Sequence, residues 1–399
     1  MITNRFEKRL QFTQETSQEI AKLLARIDEC KGYWEAFSRL SPEYLKRMKH
    51  AVIVSSSGSS TRIEGAHLSD DEVEQLLRDA KVRKLATRDE QEVLGYLEII
   101  QDVFESSDAM KFSENLIQHI HTAALKYSEK DSRHKGRYKF APNRVEAIDA
   151  RGKVIGIIFD PTPPFLTPKE MQELTEWTQK QFRQQTFHPL LVIANFVYEF
   201  LAIHPFQDGN GRTSRILTNL LLLQNGYGFV PYVSHEKLIE DHKVDYYLAL
   251  KKSTATWKKE RENIAPWMLF ILRMFVKQGE MAVALTKEDQ TENLLSENQL
   301  AVWKSFQDAE TLSRKEIAGK TGVNIRTVDQ ALLKLLALKK IAKICRAAAR
   351  NSCGCIHHIF FYLQKILVLL ARFVGVAETH HFNFIELMYA QNTFCVFAI

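Results

Sequence analysis

The stretch His204-Pro205-Phe206-Gln207-Asp208-Gly209-Asn210-Gly211-Arg212-Thr213-Ser214-Arg215 sets polar, glycine and basic residues between two apolar runs. No packing requirement accounts for that composition, and it reads as a phosphate site. Upstream, Leu190 to Ile203 carries the apolar spacing of a buried helix, and downstream Ile216, Leu217, Leu220 and Leu221 recur at helical intervals. The motif is therefore a loop joining two core helices. Gly209 and Gly211 permit close backbone approach, and with Asn210 they could aim N–H groups at an anion where the next helix offers the positive end of its dipole. Arg212 and Arg215 add fixed charge for phosphate oxygens, and Asp208 supplies a hard oxygen for Mg2+. His204 is left as the base, because an imidazole of ordinary pKa near ~6.5 is neutral at working pH.

This stretch resembles the signature of the Fic (AMP-transferase) family, His-Pro-Phe-x-Asp-Gly-Asn-Gly-Arg-x-x-Arg, with every fixed position present. The resemblance implies transfer of AMP from ATP to a protein hydroxyl, with pyrophosphate leaving. It gives His204 the role of deprotonating the target Ser, Thr or Tyr, and Asp208 that of placing Mg2+, or Mn2+, on the α and β phosphates. The amides of Gly209, Asn210 and Gly211 would cradle the anion, Arg212 and Arg215 would hold the β and γ phosphates, and Phe206 would pack under the loop. A plain helix-capping loop would need neither the histidine nor both arginines.

Upstream lies Ser55-Ser56-Ser57-Gly58-Ser59-Ser60-Thr61-Arg62-Ile63-Glu64-Gly65. By composition alone a serine-rich run suggests a flexible linker. Ser60-x-x-x-Glu64-Gly65 is also similar to the inhibitory motif of Fic proteins, which implies a short helix that sets Glu64 against Arg215 while Ser60 anchors it. Activity would then be latent. Related enzymes of the same fold remove AMP with such a glutamate, so a de-AMPylase is the alternative, and a DNA-binding regulator with the Fic body as scaffold is another.

Along the rest of the chain, Phe6 to about Leu45 reads as helical, Asp70 to Val103 as two amphipathic helices, Ser113 to Tyr127 as another with His119 and His121 as packing or surface residues, and Lys169 to Gln184 as one more. Strand-forming residues flank a turn at Asp149 to Gly152, so a β-hairpin is expected over about Tyr138 to Ile158. The resemblance makes it a flap that aligns a target segment by strand addition, through Tyr138, Lys139, Val154 and Ile155. Tyr246 and Tyr247 are candidates to rim the adenine, with core packing as the competing account of one of them.

The expected architecture is mainly α: a helical region with the inhibitory motif (1–105), a Fic-type core with its flap (106–285), a Thr-, Glu- and Asn-rich linker (286–297) and a winged helix-turn-helix (298–345). In that last domain Asn324 is the helix N-cap, Arg326 and Thr327 begin a recognition helix, and Lys334, Lys339 and Lys340 face phosphates if DNA is a partner. After residue 345 the pattern departs from the resemblance. An apolar run from Ile356 to Val376 can be read as a truncated or frame-shifted end, an added helix or a tail anchor, and Lys365 near its middle counts against a membrane span. Cys353, Cys355, His357 and His358 do not have a usual zinc spacing.

The 399 residues are enough for more than one domain, and 45% hydrophobic content is ample for a packed core. A net charge of +6 is too mild to imply a nucleic-acid partner by itself. With 5 cysteines no disulfide framework supports the body, and the polar N-terminus lacks a secretory pattern. A cytoplasmic protein is expected, or one delivered by a specialised secretion system. The partners implied are an unidentified target protein, the chain itself through self-modification and a homodimer.

Overall fold

Apolar residues at helical spacing make most of the chain helical, and the computed structural model describes residues 5–37, 42–79, 85, 87–148, 154–293, 295–306, 311–338, 341–345 and 355–359. It divides into one unit over Met1–Thr286 and another over Lys287–Ile399.

In the first unit α1 (Arg5–Lys8), α2 (Gln14–Phe37) and α3 (Pro42–Ile63) come first, followed by α4 (Asp70–Asp79), α5 (Arg88–Ser106) and α6 (Glu114–Ala124). A capping box of Thr87 and Glu90 starts α5, and the Ser113 hydroxyl caps α6. After the antiparallel strands β1 (Val145–Ile148) and β2 (Val154–Phe159) come α7 (Thr167–Gln184), α8 (Pro189–Ile203), α9 (Asn210–Gln224), α10 (His235–Asp241), α11 (Lys243–Thr254) and α12 (Ala265–Asn293). From Val192 to Ile203 every side chain of α8 is buried, so that helix is the axis of the core. Helices α7 and α9 pack against it.

The serine-rich run is not a linker. Ser56, Ser57, Ser59, Ser60 and Thr61 are fully buried within α3, which packs on α5 and α10. Small side chains let these helices approach closely, and the hydroxyls are satisfied locally: Ser57 donates to the Ile53 carbonyl and Thr61 to that of Ser57. The N-terminal stretch read as helical is made of α1, α2 ending at Phe37, and α3, which Pro42 opens.

The strand pair begins later than its sequence suggests. Val145 pairs with Phe159 and Ile148 with Val154, whereas Tyr138 and Lys139 lie before the strand. The Lys139 N–H is already given to the Pro205 carbonyl, and Pro142 has no N–H to give.

In the second unit α13 (Glu297–Lys304), α14 (Arg314–Thr321) and α15 (Ile325–Ala337) share a core of Val302, Phe306, Ile317, Val328, Leu332 and Leu335. Asn324 caps α15 by accepting from the Thr327 N–H. Strands β3 (Thr311–Leu312), β4 (Ile341–Cys345) and β5 (Cys355–Ile359) form an antiparallel sheet in the order β3-β5-β4. The segment read as linker is partly helical, since α12 continues to Asn293. Most of the apolar tail, with Lys339, Lys340 and Cys353, lies outside the described residues, among which no helix is long and apolar enough to cross a membrane.

Candidate functional site

Helix α8 ends at His204, whose backbone sits at φ 53, ψ 61 in the left-handed region. For a residue with a side chain that conformation costs about 1 to 2 kcal/mol, so surrounding contacts must hold it. The turn that follows is closed from inside by Asn210, which accepts from the Phe206 N–H at 2.9 Å and donates to the Phe206 carbonyl at 2.8 Å. Gly209, at φ 77, then opens α9 without a side-chain cap. The first amides of α9 therefore lack helical acceptors and carry the positive end of its dipole.

Under the turn, the buried Phe206 ring lies flat on His121, with centroids 3.7 Å apart. His121 accepts from the Gly136 N–H at Nδ1, so its Nε2–H donates to the Asp208 carbonyl at 2.9 Å. Burial lowers its pKa to about 4, keeping the ring neutral.

His204 is partly buried, and its Nδ1 is 3.3 Å from the Leu201 carbonyl. A carbonyl can only accept, so Nδ1 carries the proton and Nε2 keeps its lone pair. Burial and then the nearby Lys139 charge lower the His204 pKa to about 4, against the opposing effects of Glu64 and Asp208. The imidazole is thus ready to take a proton.

Burial works against ionising Asp208, but Arg212, Arg88 and the Gly209 N–H hold its pKa below the usual carboxylate range. Its carboxylate belongs to a ring of charges: Arg88 contacts Asp208 at 2.9 Å and Glu92 at 2.6 Å, and Arg212 contacts Asp208 at 3.1 Å and Glu92 at 2.9 Å. Glu92 thereby orients both guanidiniums from α5.

Across the mouth of α9 stands Glu64, just beyond the last residue of α3. Its Oε1 lies 2.7 Å from Arg215, while Arg215 also donates to the Ser60 hydroxyl and carbonyl, each at 2.8 Å. Burial disfavours the Arg215 charge, but Glu64 together with Tyr246 and Tyr96 outweighs it and the guanidinium stays protonated. A Cβ on Gly211 would come within 2.0 Å of Glu64 Oε1, so the carboxylate occupies space that only glycine leaves open.

The structure thus brings His204, Asp208, Gly209, Asn210, Gly211, Arg212, Arg215, Ser60 and Glu64 together. Tyr246 is buried among Trp267, Phe270 and Tyr247 and also hydrogen-bonds Arg215, so it borders both the core and the site, while Tyr247 is half-buried. Tyr138 and Lys139 turn toward the motif instead of lying in a strand, with the Tyr138 ring against Phe206 and Lys139 only 3% exposed. For Val154 and Ile155 the strand backbone alone is described. Sequence reasoning missed Arg88, Glu92 and Asn143. His121 carried a signal, since it falls on the face of α6 that buries Ile117, Ile120 and Ala124.

A helix end with free amides, paired guanidiniums and an imidazole with a bare nitrogen makes a site for a phosphate ester beside a base. Residues 111–222 match the Fic/DOC family, and the chain carries a Fic domain. The "Probable protein adenylyltransferase" of Aquifex aeolicus is 35% identical over 86 residues, 22% of this chain and 26% of that protein. The protein adenylyltransferase Fic of Drosophila melanogaster is 46% identical over 57 residues, 14% of this chain and 11% of that one. The chain therefore spans about a quarter or less of the length of these curated relatives. A Fic family protein from Desulfovibrio desulfuricans shares the fold with TM-score 0.56 at 21% identity, covering 88% of this chain and 98% of that one. Fic-1 from C. elegans superposes with TM-score 0.54 at 21% identity over 70% of this chain and 76% of that one.

Proposed function

We propose that this protein is an adenylyltransferase that moves AMP from ATP to a Ser, Thr or Tyr hydroxyl of a target protein, held latent by Glu64. The observation that carries this reading is His204 with a protonated Nδ1 and a bare Nε2, one helix end away from an anion seat. His204 Nε2 takes the hydroxyl proton while the oxygen attacks the α phosphorus, and the bond to pyrophosphate breaks. The amides at the start of α9 and the Arg212 and Arg215 guanidiniums orient the phosphates.

Asp208 suits Mg2+, because it is an ionised hard-oxygen donor and this cation usually takes few carboxylates and completes its shell with phosphates and water. Mg2+ bound there supplies charge neutralisation on the leaving pyrophosphate. Glu64 meanwhile holds Arg215 and fills the space over Gly211, which denies both to the γ phosphate.

The test uses ATP labelled separately at the α and γ phosphates, with wild type, Glu64→Gly and His204→Ala. Transfer of α label alone, raised by Glu64→Gly and lost in His204→Ala, is the expected result, and transfer of γ label would overturn the donor assignment. A reverse reading is favoured by Glu64 itself, whose side chain is 32% exposed and so accessible to water. It requires an AMP-modified protein to lose AMP only when Glu64 is intact.

The second unit supports a DNA-binding reading as a winged helix-turn-helix, since Arg326 and Lys334 are exposed on the capped helix α15. It is tested by duplex binding at low salt, and failure to bind any duplex removes it.

A further inference from the structure

The carbonyls at the end of α8 have no helical N–H groups of their own and must be satisfied from elsewhere. One short segment does so for the catalytic turn. Lys139 Nζ donates to the Ile203 carbonyl at 3.0 Å, and the Lys139 backbone N–H donates to that of Pro205 at 2.8 Å. Asn143 Nδ2 donates to the Phe206 carbonyl at 2.9 Å and approaches that of His204 at 3.4 Å. Its Oδ1 in turn accepts from Lys139 Nζ at 2.8 Å, so the donors brace one another. A lysine that is 3% exposed is far from its usual surface setting, and the negative end of the α8 dipole is what makes it tenable there.

We propose that Lys139 and Asn143 are positioning residues that clamp His204 in its left-handed turn. This rests on the transferase reading for its consequence in turnover but not for its geometry. Lys139 cannot present its side chain to a docking target, because that side chain points into the protein beneath the catalytic histidine. The groups acting on His204 are Lys139, which disfavours its proton, and Glu64 and Asp208, which favour it. Those acting on Lys139 are Glu170 and Lys258, and burial brings its own pKa down to about 8. At neutral pH the ammonium is therefore mostly charged, and it is held on the carbonyl of Ile203, the residue before His204. A structural cap alone would need the hydrogen bond but not the charge.

The deciding experiment follows the His204 imidazole by NMR across pH, its resonance being assigned by its loss in His204→Ala. It uses the full chain as wild type, Lys139→Met, Lys139→Arg and Asn143→Leu. The midpoint is expected to rise by about half a pH unit or more in Lys139→Met and to stay near wild type in Lys139→Arg. In the Glu64→Gly background, Lys139→Met and Asn143→Leu are expected to lower kcat by about tenfold or more with the KM for ATP within about threefold. A midpoint that does not move in Lys139→Met overturns the placement of the Lys139 ammonium beside His204, and unchanged kcat in Asn143→Leu overturns the clamp. If Lys139→Met does not fold, Lys139→Gln replaces it in both measurements. Absence of any AMP transfer in Glu64→Gly would defeat the transferase reading while the titration still decided this one.

Discussion

Glu64 and Arg215 meet at 2.7 Å above a glycine that leaves no room for a side chain. That contact joins the end of α3 to the first turns of α9 and ties up a guanidinium aimed at the anion seat. Replacing Glu64 by glycine should raise α-label transfer by about tenfold or more, since a partly exposed ion pair still competes with the γ phosphate for the same group. Initial rates at saturating ATP check it, and a folded Glu64→Gly variant no faster than wild type removes the latch.

Gly211→Ala tests the same contact from below. The added Cβ would meet Glu64 Oε1 at 2.0 Å, so the substitution should lower Tm in wild type. In the Glu64→Gly background that obstacle is gone, and the loss of Tm should be clearly smaller. Equal losses in the two backgrounds would show that the carboxylate does not sit over Gly211.

His204→Ala should reduce transfer by about 100-fold or more while ATP affinity stays within about threefold, because the imidazole handles the acceptor proton and not the phosphates. Calorimetric titration with ATP in the Glu64→Gly background separates the effects. A large loss of ATP affinity would mean that His204 holds the donor instead.

Stability should fall on the acid side. Burial lowers the pKa values of His121 and His204 to about 4 and that of His235 to about 3, against an ordinary value near ~6.5. In that window the unfolded chain binds more protons than the folded one, so stability is present above about pH 6.5 and is lost as pH falls toward about 4. His235, at the start of α10, is buried against Phe275 with neither ring nitrogen hydrogen-bonded, and the nearby Arg215 charge adds to burial in lowering its pKa. His235→Phe should therefore flatten the decline in urea midpoint between pH 6.5 and 4; an unaltered slope would rule His235 out as a contributor.

If the second unit binds DNA, the affinity of the intact chain for a duplex should fall with added salt, and Lys334→Glu should weaken it across sequences. Fluorescence anisotropy at several salt concentrations measures both. Salt-independent binding would point away from phosphate contacts.

The helix-loop-helix at the centre was legible because glycines, arginines and a histidine between apolar runs have no packing purpose. Glu64 became visible only beside that motif, since serines by themselves suggest an open linker and burial of Ser56, Ser57, Ser59 and Ser60 depends on the helices that cover them. Lys139 was read as a flap residue and Asn143 was not singled out, so their place under the turn was not legible. Their role is to satisfy carbonyls some 60 residues further along the chain, and no local spacing encodes which distant carbonyl lacks a donor. For Tyr246 the sequence left two accounts open, because an aromatic at helical spacing carries no mark of whether Trp267, Arg215 or a ligand will meet it.

Helix α3 has 22 residues ending at Ile63, is exposed at Lys46, Arg47 and His50 and buried from Ser56 to Thr61, and Gly65 just after it takes φ 104. The Glu64 carboxylate, on the proposed reading a latch, thus hangs from the tip of a beam that is buried along its second half. Swinging it aside requires rearrangement of a few bonds at that tip and leaves the Ser56 to Ser234 contact, and the packing along the beam, as they were. On that reading, latency and release would be exchanged at one side chain and one helix end.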